Sequence, residues 1–213
     1  MSDLRPVLLL SGTPASGKDT ITNHLVSGVI DSCGWAFSQF KKDKLVHDVV
    51  SAAHDDRNAC YNLVDSNAFS QKVRSGDYIQ YHTRYSNGYG VSKAQLEALW
   101  KQNLIPIIHN GKQENLLPFW QADFSCFHAL LLCAESETWS RLRSRQPDQA
   151  AEWEKRLSAY WEERAELATY LSQGQTLATH MCIATDQVNA ADAADWIQHA
   201  AIKSWFGRSA PPL

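Results

Sequence analysis

Residues 12–20 read Gly-Thr-Pro-Ala-Ser-Gly-Lys-Asp-Thr, and Gly12, Gly17 and Lys18 fit the spacing G-x-x-x-x-G-K. This spacing suits phosphate chemistry. Glycines let successive backbone N–H groups, here including those of Thr13, Ala15 and Ser16, curl around an anion. A helix that starts at the lysine adds its positive N-terminal potential, and the ammonium neutralises β- and γ-phosphate oxygens. The place directly after the lysine, where Ser or Thr commonly holds magnesium, belongs to Asp19. A carboxylate there can hold Mg²⁺ directly or through water, or it can simply complement the helix dipole. Thr20 lies one step too far to replace the missing hydroxyl exchange-for-exchange, but its own hydroxyl can bond a phosphate. A plain strand–turn–helix connection is the alternative for the whole stretch.

The mechanism needs a strand before this loop and a helix after it. Val7–Leu10 reads as a buried strand, and Lys18 to about Val29 as a helix. Further along, Trp35–Phe40 and Tyr61–Val64 read as strands, with a helix around Leu45–Ala53 between them. Ser66 is expected to cap a helix ending at Gly76. Tyr78–Tyr85 follows as a strand, and Ser92 with Gln95 forms a capping-box start for a helix to about Gln102. Ile105–Ile108, Ala129–Cys133 and Met181–Ala184 are buried-strand segments. Glu137–Gln146, Glu152–Tyr170 and Asn189–Trp205 are helical. Alternating strands and helices predict an α/β fold with a largely parallel sheet covered by helices.

Composition narrows the function classes. The chain has 213 residues, 44% hydrophobic and 20% charged, with a net charge of −3. Such a balance exerts no global pull on nucleic acid or on an anionic membrane, so an anion site must be local. Five cysteines, Cys33, Cys60, Cys126, Cys133 and Cys182, lie far apart without metal-ligand spacing and read as reduced thiols. No stretch approaches the roughly 18 apolar residues of a membrane span. No separate signal peptide is expected, because the first apolar run leads straight into the Gly-rich loop. The expected location is cytoplasmic, and residues 207–213 are expected to be a flexible tail.

Three further stretches resemble the guanylate kinases. Residues 75–103, SGDYIQYHTRYSNGYGVSKAQLEALWKQN, are similar to the acceptor-binding region of that family, with Gly76, Tyr78, Tyr81, Asn87, Tyr89 and Gly90 on its pattern. Residues 141–157, RLRSRQPDQAAEWEKRL, resemble its arginine-bearing lid, with Arg141, Arg145 and Arg156 at the family spacing. Residues 61–69, YNLVDSNAF, resemble the segment ahead of the acceptor helix. The resemblance runs from residue 7 to about 200 and is weakest between 39 and 60. It implies a guanylate kinase-like P-loop NTPase fold in a single domain over residues 1–206. Within it, an acceptor-binding region would occupy about 35–103 and a lid about 137–160. It implies ATP and Mg²⁺ as cofactors and a small phosphorylated molecule as substrate, with a homodimer open.

The chemistry of the implied site is consistent. Phosphoryl transfer between two anions needs cations around the moving group and exclusion of water, and arginine forks bind phosphate oxygens bidentately. A solvated, acid-paired helix face is the alternative for Arg141, Arg143 and Arg145. Where the family grips the acceptor phosphate, this chain has Ser38, Lys41, Lys42 and Lys44. Lysines neutralise charge but lose bidentate geometry, and a surface loop is their alternative. Tyr81 and Tyr89 can bond the same phosphate or pack in the core. The family's guanine-reading glutamate falls on Gln80 and its following hydroxyl residue on Val91, which weakens an expected preference for guanine. His109 and Asn110 fall near the family's Asp-x-Asp pair, with His109 a positioning group or a core histidine.

The acceptor expected from the resemblance is a nucleoside monophosphate. Asn110-Gly111 and Asp19 are also similar to ribose 1,5-bisphosphate kinases, so a sugar phosphate is the second expectation. A non-catalytic guanylate kinase-like binding module is the third. The intact Gly12, Gly17 and Lys18 stand against that module.

Overall fold

The computed structural model describes residues 4–27, 34–84, 87–145, 150–172 and 179–207. The predicted helix beyond Ser27, Cys33, Tyr85, Gln146 and the tail from residue 208 lie outside the described residues.

The chain runs β1 (Pro6–Gly12), α1 (Lys18–Ser27), β2 (Ala36–Gln39), β3 (Asp43–Leu45), α2 (Val49–Ala53), β4 (Asn62–Val64), α3 (Ser66–Ser75), β5 (Tyr78–Arg84) and β6 (Asn87–Ser92). It continues through α4 (Lys93–Trp100), β7 (Leu104–Asn110), α5 (Leu117–Gln121), β8 (Ser125–Leu132), α6 (Glu135–Arg145), α7 (Ala150–Ser172), β9 (Met181–Ala184) and α8 (Ala190–Phe206). Five strands form a wholly parallel sheet in the order β2-β7-β1-β8-β9.

β1 is the middle strand, and all seven of its residues are buried. Side chains alternate along a strand, so Leu8 and Leu10 face one layer and Val7 and Leu9 the other. The first layer holds Ile21 and Leu25 of α1 with Ile197 and Ile202 of α8. The second holds Leu96 of α4, Leu116 and Phe119. Each fully buried aliphatic side chain contributes roughly 1.5–3 kcal/mol. A strand greasy on both faces is therefore fixed at the centre of the sheet.

A second sheet, in the order β4-β3-β6-β5, carries the acceptor-like segment. Its strands β3 and β4 are parallel, and β6 runs antiparallel to both β3 and β5. Asp43 of β3 holds it together from a side chain 1% exposed. Its carboxylate accepts from Lys72 Nζ at 2.7 Å, Tyr78 Oη at 2.9 Å and Gln95 Nε2 at 2.9 Å. Those donors come from α3, β5 and α4.

Several local expectations are corrected here. Leu45 ends a strand, and the helix expected around Leu45–Ala53 is only Val49–Ala53, capped by Asp48. Asp65, not Ser66, caps α3, because its carboxylate accepts from Ala68 N. The Ser92–Gln95 capping box does not form. Ser92 makes no side-chain cap bond, and Gln95 turns to the buried Asp43 carboxylate, a charged and therefore stronger acceptor. Strand β6 and the short helix α5 were not foreseen. Among the described residues no helix is long and apolar enough to cross a membrane.

Removing the Asp43 carboxylate leaves three inward-facing donors without an acceptor. Asp43→Ala is expected to lower unfolding free energy by about 3–5 kcal/mol, read as a fall in the urea midpoint. A loss under about 1 kcal/mol would show that the second sheet does not depend on this residue.

Candidate active site

In open parallel sheets the ligand edge is the carboxyl end of the strands. Here β1 delivers the glycine loop to that edge, and β7 beside it delivers His109 and Asn110, in register with Leu10 and Ser11. Gly12 has φ +148°, and a Cβ on it would sit 2.3 Å from the Leu131 carbonyl oxygen. No side chain fits there, so the loop turns tightly against β8. Gly17 has φ +89°, in the region that favours glycine.

Lys18 begins α1 and folds back over the loop. Its Nζ donates to the carbonyls of Gly12 at 2.6 Å and Thr13 at 3.0 Å, and to Ser16 Oγ at 3.3 Å. Burial pulls its pKa down to about 8, against the opposing charges of Glu163 and Asp19. Arg141 braces the same loop from α6. It donates to the Ala15 carbonyl at 3.1 Å and the Thr185 carbonyl at 2.6 Å, and pairs with Glu137 at 2.8 Å.

The loop opens into a cleft of about 520 Å³. Among the described residues, seven cationic side chains line it against two carboxylates, Asp19 and Asp55. Lys18, Lys42 and Lys44 come from the core and β3 side and Arg84 from β5, while Arg145, Lys155 and Arg156 come from α6 and α7. Lys42 Nζ donates to the His109 carbonyl at 2.6 Å and Asn110 Oδ1 at 3.3 Å. Burial, then Arg84 and Lys18, lower its pKa to about 7. Lys44 bonds Asn58 Oδ1 at 2.6 Å and lies over the Tyr61 ring. Tyr61, Tyr89 and His82 form an aromatic wall, with His82 stacked on Tyr89 at 5.5 Å. Burial raises the Tyr61 phenol and, with Lys42, Arg84 and Lys112, lowers His82 to about 3.

His109 also lines the cleft. Its Nε2 meets Thr22 Oγ1 at 2.7 Å, and its Nδ1 stands 3.5 Å from Asp19 Oδ1. Burial, aided by Lys18 and Lys42 and opposed by Asp19, pulls its pKa to about 4. The ring is neutral near pH 7, so its contact with Asp19 is dipolar rather than an ion pair.

Of the residues singled out from sequence, Ala15, Ser16, Gly17, Lys18, Asp19, Lys42, Tyr89, His109, Asn110, Arg145 and Arg156 share the cleft wall. Gly12, Thr13 and Arg141 shape or brace the loop from behind. Thr20, Ser38, Lys41, Gln80, Tyr81 and Val91 do not line the cleft. Thr20 and Lys41 are exposed, and Ser38 is half-buried beside Gln39 and Phe40, which do face it. Tyr81 is 56% exposed on the outer face of β5. Val91 is fully buried among Leu96, Ile108 and Phe119. Gln80 is 4% exposed and donates to Asn115 Oδ1 at 3.0 Å.

Lys44, expected beside Lys42 on the acceptor side, also lines the cleft, and Arg84, Lys155, Tyr61 and His82 join the wall without having been named as site residues above. For two of them a signal existed: period-2 alternation in β5 places His82 and Arg84 on the face opposite Tyr81. Glu163, buried behind Arg84, carried none.

Among the described residues no group of three or more His, Cys, Asp and Glu side chains could hold a metal ion. The site as built can receive a polyanion and orient it by backbone N–H groups and cations.

No protein-family model matches the chain, and no curated protein matches it. Among solved structures it is similar to a guanylate kinase from Anaplasma phagocytophilum, with TM-score 0.61 and 14% identity over 97% of this chain and 89% of that one. A gluconokinase from Sinorhizobium meliloti 1021 is also similar, with TM-score 0.42 and 11% identity over 96% of this chain and 95% of that one. The first likeness extends over nearly the whole chain and concerns the fold: a five-stranded parallel sheet flanked by helices.

Proposed function

We propose that the protein transfers the γ-phosphoryl group of ATP, with Mg²⁺, to a small acceptor that already carries phosphate. The observation that supports this reading is the excess of cations around a glycine loop: among the described residues, seven against two carboxylates in one cleft. Such a cleft suits two anionic substrates held side by side, since phosphoryl transfer depends mainly on positioning and electrostatic stabilisation. An acceptor oxygen attacks the γ-phosphorus, the bond to the β,γ-bridging oxygen breaks, and ADP leaves.

In this reading the loop N–H groups and Lys18 hold the β- and γ-phosphates. Arg145 and Arg156 close over the transferring group, while Lys42, Lys44, Arg84 and Tyr89 face the acceptor phosphate. Asp19 suits Mg²⁺ because it is an exposed carboxylate in the cleft beside Lys18, and hard cations favour oxygen ligands. When bound, the ion would neutralise phosphate charge. His109, neutral at pH 7, orients Asp19 rather than moving a proton.

For the acceptor, a nucleoside monophosphate is supported by the Tyr61, Tyr89 and His82 wall, which offers ring faces for a base, and by the likeness to a guanylate kinase. A sugar phosphate is favoured by one specific observation: neither Gln80 nor Val91 lines the cleft, so no guanine edge is read at those positions.

Lys18→Met is expected to cut turnover at least about a hundredfold while circular dichroism stays native. Near-native turnover would sink the reading. The depressed lysines give a second test. In the unfolded chain these groups titrate near 10.5, so between about pH 7 and 10 the unfolded state holds more protons, and stability rises with pH. A bound polyphosphate favours the charged forms. ATP is already fully ionised at pH 8, so its binding should take up protons, seen by calorimetry in two buffers of different ionisation enthalpy. Net release would contradict it. In a kcat/KM panel of GMP, AMP, CMP, UMP and ribose 1,5-bisphosphate, we expect GMP to hold less than a roughly hundredfold advantage. A larger GMP preference would exclude the sugar phosphate.

A further inference from the structure

Behind the glycine loop lies a second cavity, of about 10 Å³, walled by Gly12, Thr13, Gly111, Gln113, Glu163 and three leucines. That is about the space one water molecule occupies. Thr13 Oγ1, Gln113 Oε1 and Glu163 Oε2 are buried and have no hydrogen-bond partner among the described residues. The amide oxygen and the carboxylate oxygen accept, while the hydroxyl can donate. One water satisfies all three by donating to Gln113 and Glu163 and accepting from Thr13. Buried waters bridge polar groups in this way.

The other oxygen of Glu163 is committed elsewhere. Glu163 lies on α7 and is 6% exposed. Its Oε1 accepts from Arg84 Nη2 of β5. Gly111, just after β7, fits against this pair: a Cβ there would lie 2.5 Å from Glu163 Oε1 and 2.7 Å from Arg84 Nη1. Helix α7, the sheet that carries β5 and the loop after β7 thus converge on one carboxylate.

We propose that Glu163 is a positioning residue for phosphoryl transfer, fixing Arg84 in the cleft with one oxygen and tying it to Thr13 of the phosphate loop through a single buried water with the other. The inference rests on the phosphoryl-transfer reading given above. Glu163 does not line the main cleft, so it acts through Arg84 and the loop. Its charge also offsets part of the cation excess near Lys18.

The test has a structural and a kinetic arm. A high-resolution crystal structure of the full chain should show an ordered water within hydrogen-bond distance of all three oxygens, and in Glu163→Gln the Arg84 guanidinium should leave its place against Gly111. An empty cavity, or an unmoved Arg84, overturns the proposal. Kinetically, Glu163→Gln should lower kcat about ten- to a hundredfold with the best acceptor of the panel. ATP affinity by calorimetry should be unchanged or tighter, because a negative charge has been removed near the polyanion. A merely structural residue would lower thermal stability and leave kcat per folded molecule intact, and that result also overturns it. If Glu163→Gln does not fold, Gly111→Ala serves, since its methyl group wedges the same pair apart and should give the same split. Should the native protein bind no ATP, the kinase reading falls and this role with it. Should native and variant turn over equally, only the positioning role falls.

Discussion

Like charges repel, and among the described residues this protein gathers seven cations around one cleft. The rest of the site depends on how that repulsion is held in check. Lys18 and Lys42 are pinned by backbone carbonyls, of Gly12 and Thr13 for the first and of His109 for the second. Arg141, behind the loop, is held both by the carbonyls of Ala15 and Thr185 and by the Glu137 carboxylate. Carbonyl oxygens at the carboxyl ends of parallel strands and in the loops beyond them are available at that edge. They hold cations without cancelling their charge, as a carboxylate would. Burial lowers the pKa of both lysines, and the neighbouring cations add to that effect.

The second sheet solves a different problem. Its strands are short, and a small sheet buries too little to stand alone. Asp43 compensates by accepting from three elements at once, and Val91 extends the core of the main sheet into it. The sheet is thereby fixed at a distance that lets Lys42, Lys44 and Arg84 face the loop. Arg84 and Glu163 then join it to α7. A cleft whose walls are tied by buried charge pairs is costly to desolvate but well ordered, because each charge has few alternative partners.

The glycine loop, the central strand and the alternation of strands and helices were legible in the sequence. Each is set by neighbours within a few residues: glycine for positive φ, an apolar run for a doubly buried strand, and turn residues between periodic segments. Arg145 and Arg156 were legible only through the resemblance of residues 141–157 to a guanylate kinase segment, because on their own charged helix residues read equally as a solvated face. Lys42 was legible as one of a lysine pair, though not its difference from Lys41.

The tertiary structure decided everything that depends on which face of a short strand meets another element. A shift of one residue exchanges the two faces. Thus Gln80 and Val91 went to the interior and Tyr81 to solvent, while His82 and Arg84 turned to the cleft. The capping roles of Ser66 and Ser92 were displaced because Asp65 and the buried Asp43 supply charged acceptors. The convergence of Thr13, Arg84, Gly111 and Glu163 joins positions up to 150 residues apart. No local rule relates them, because the contact exists only once the loop, both sheets and α7 have packed.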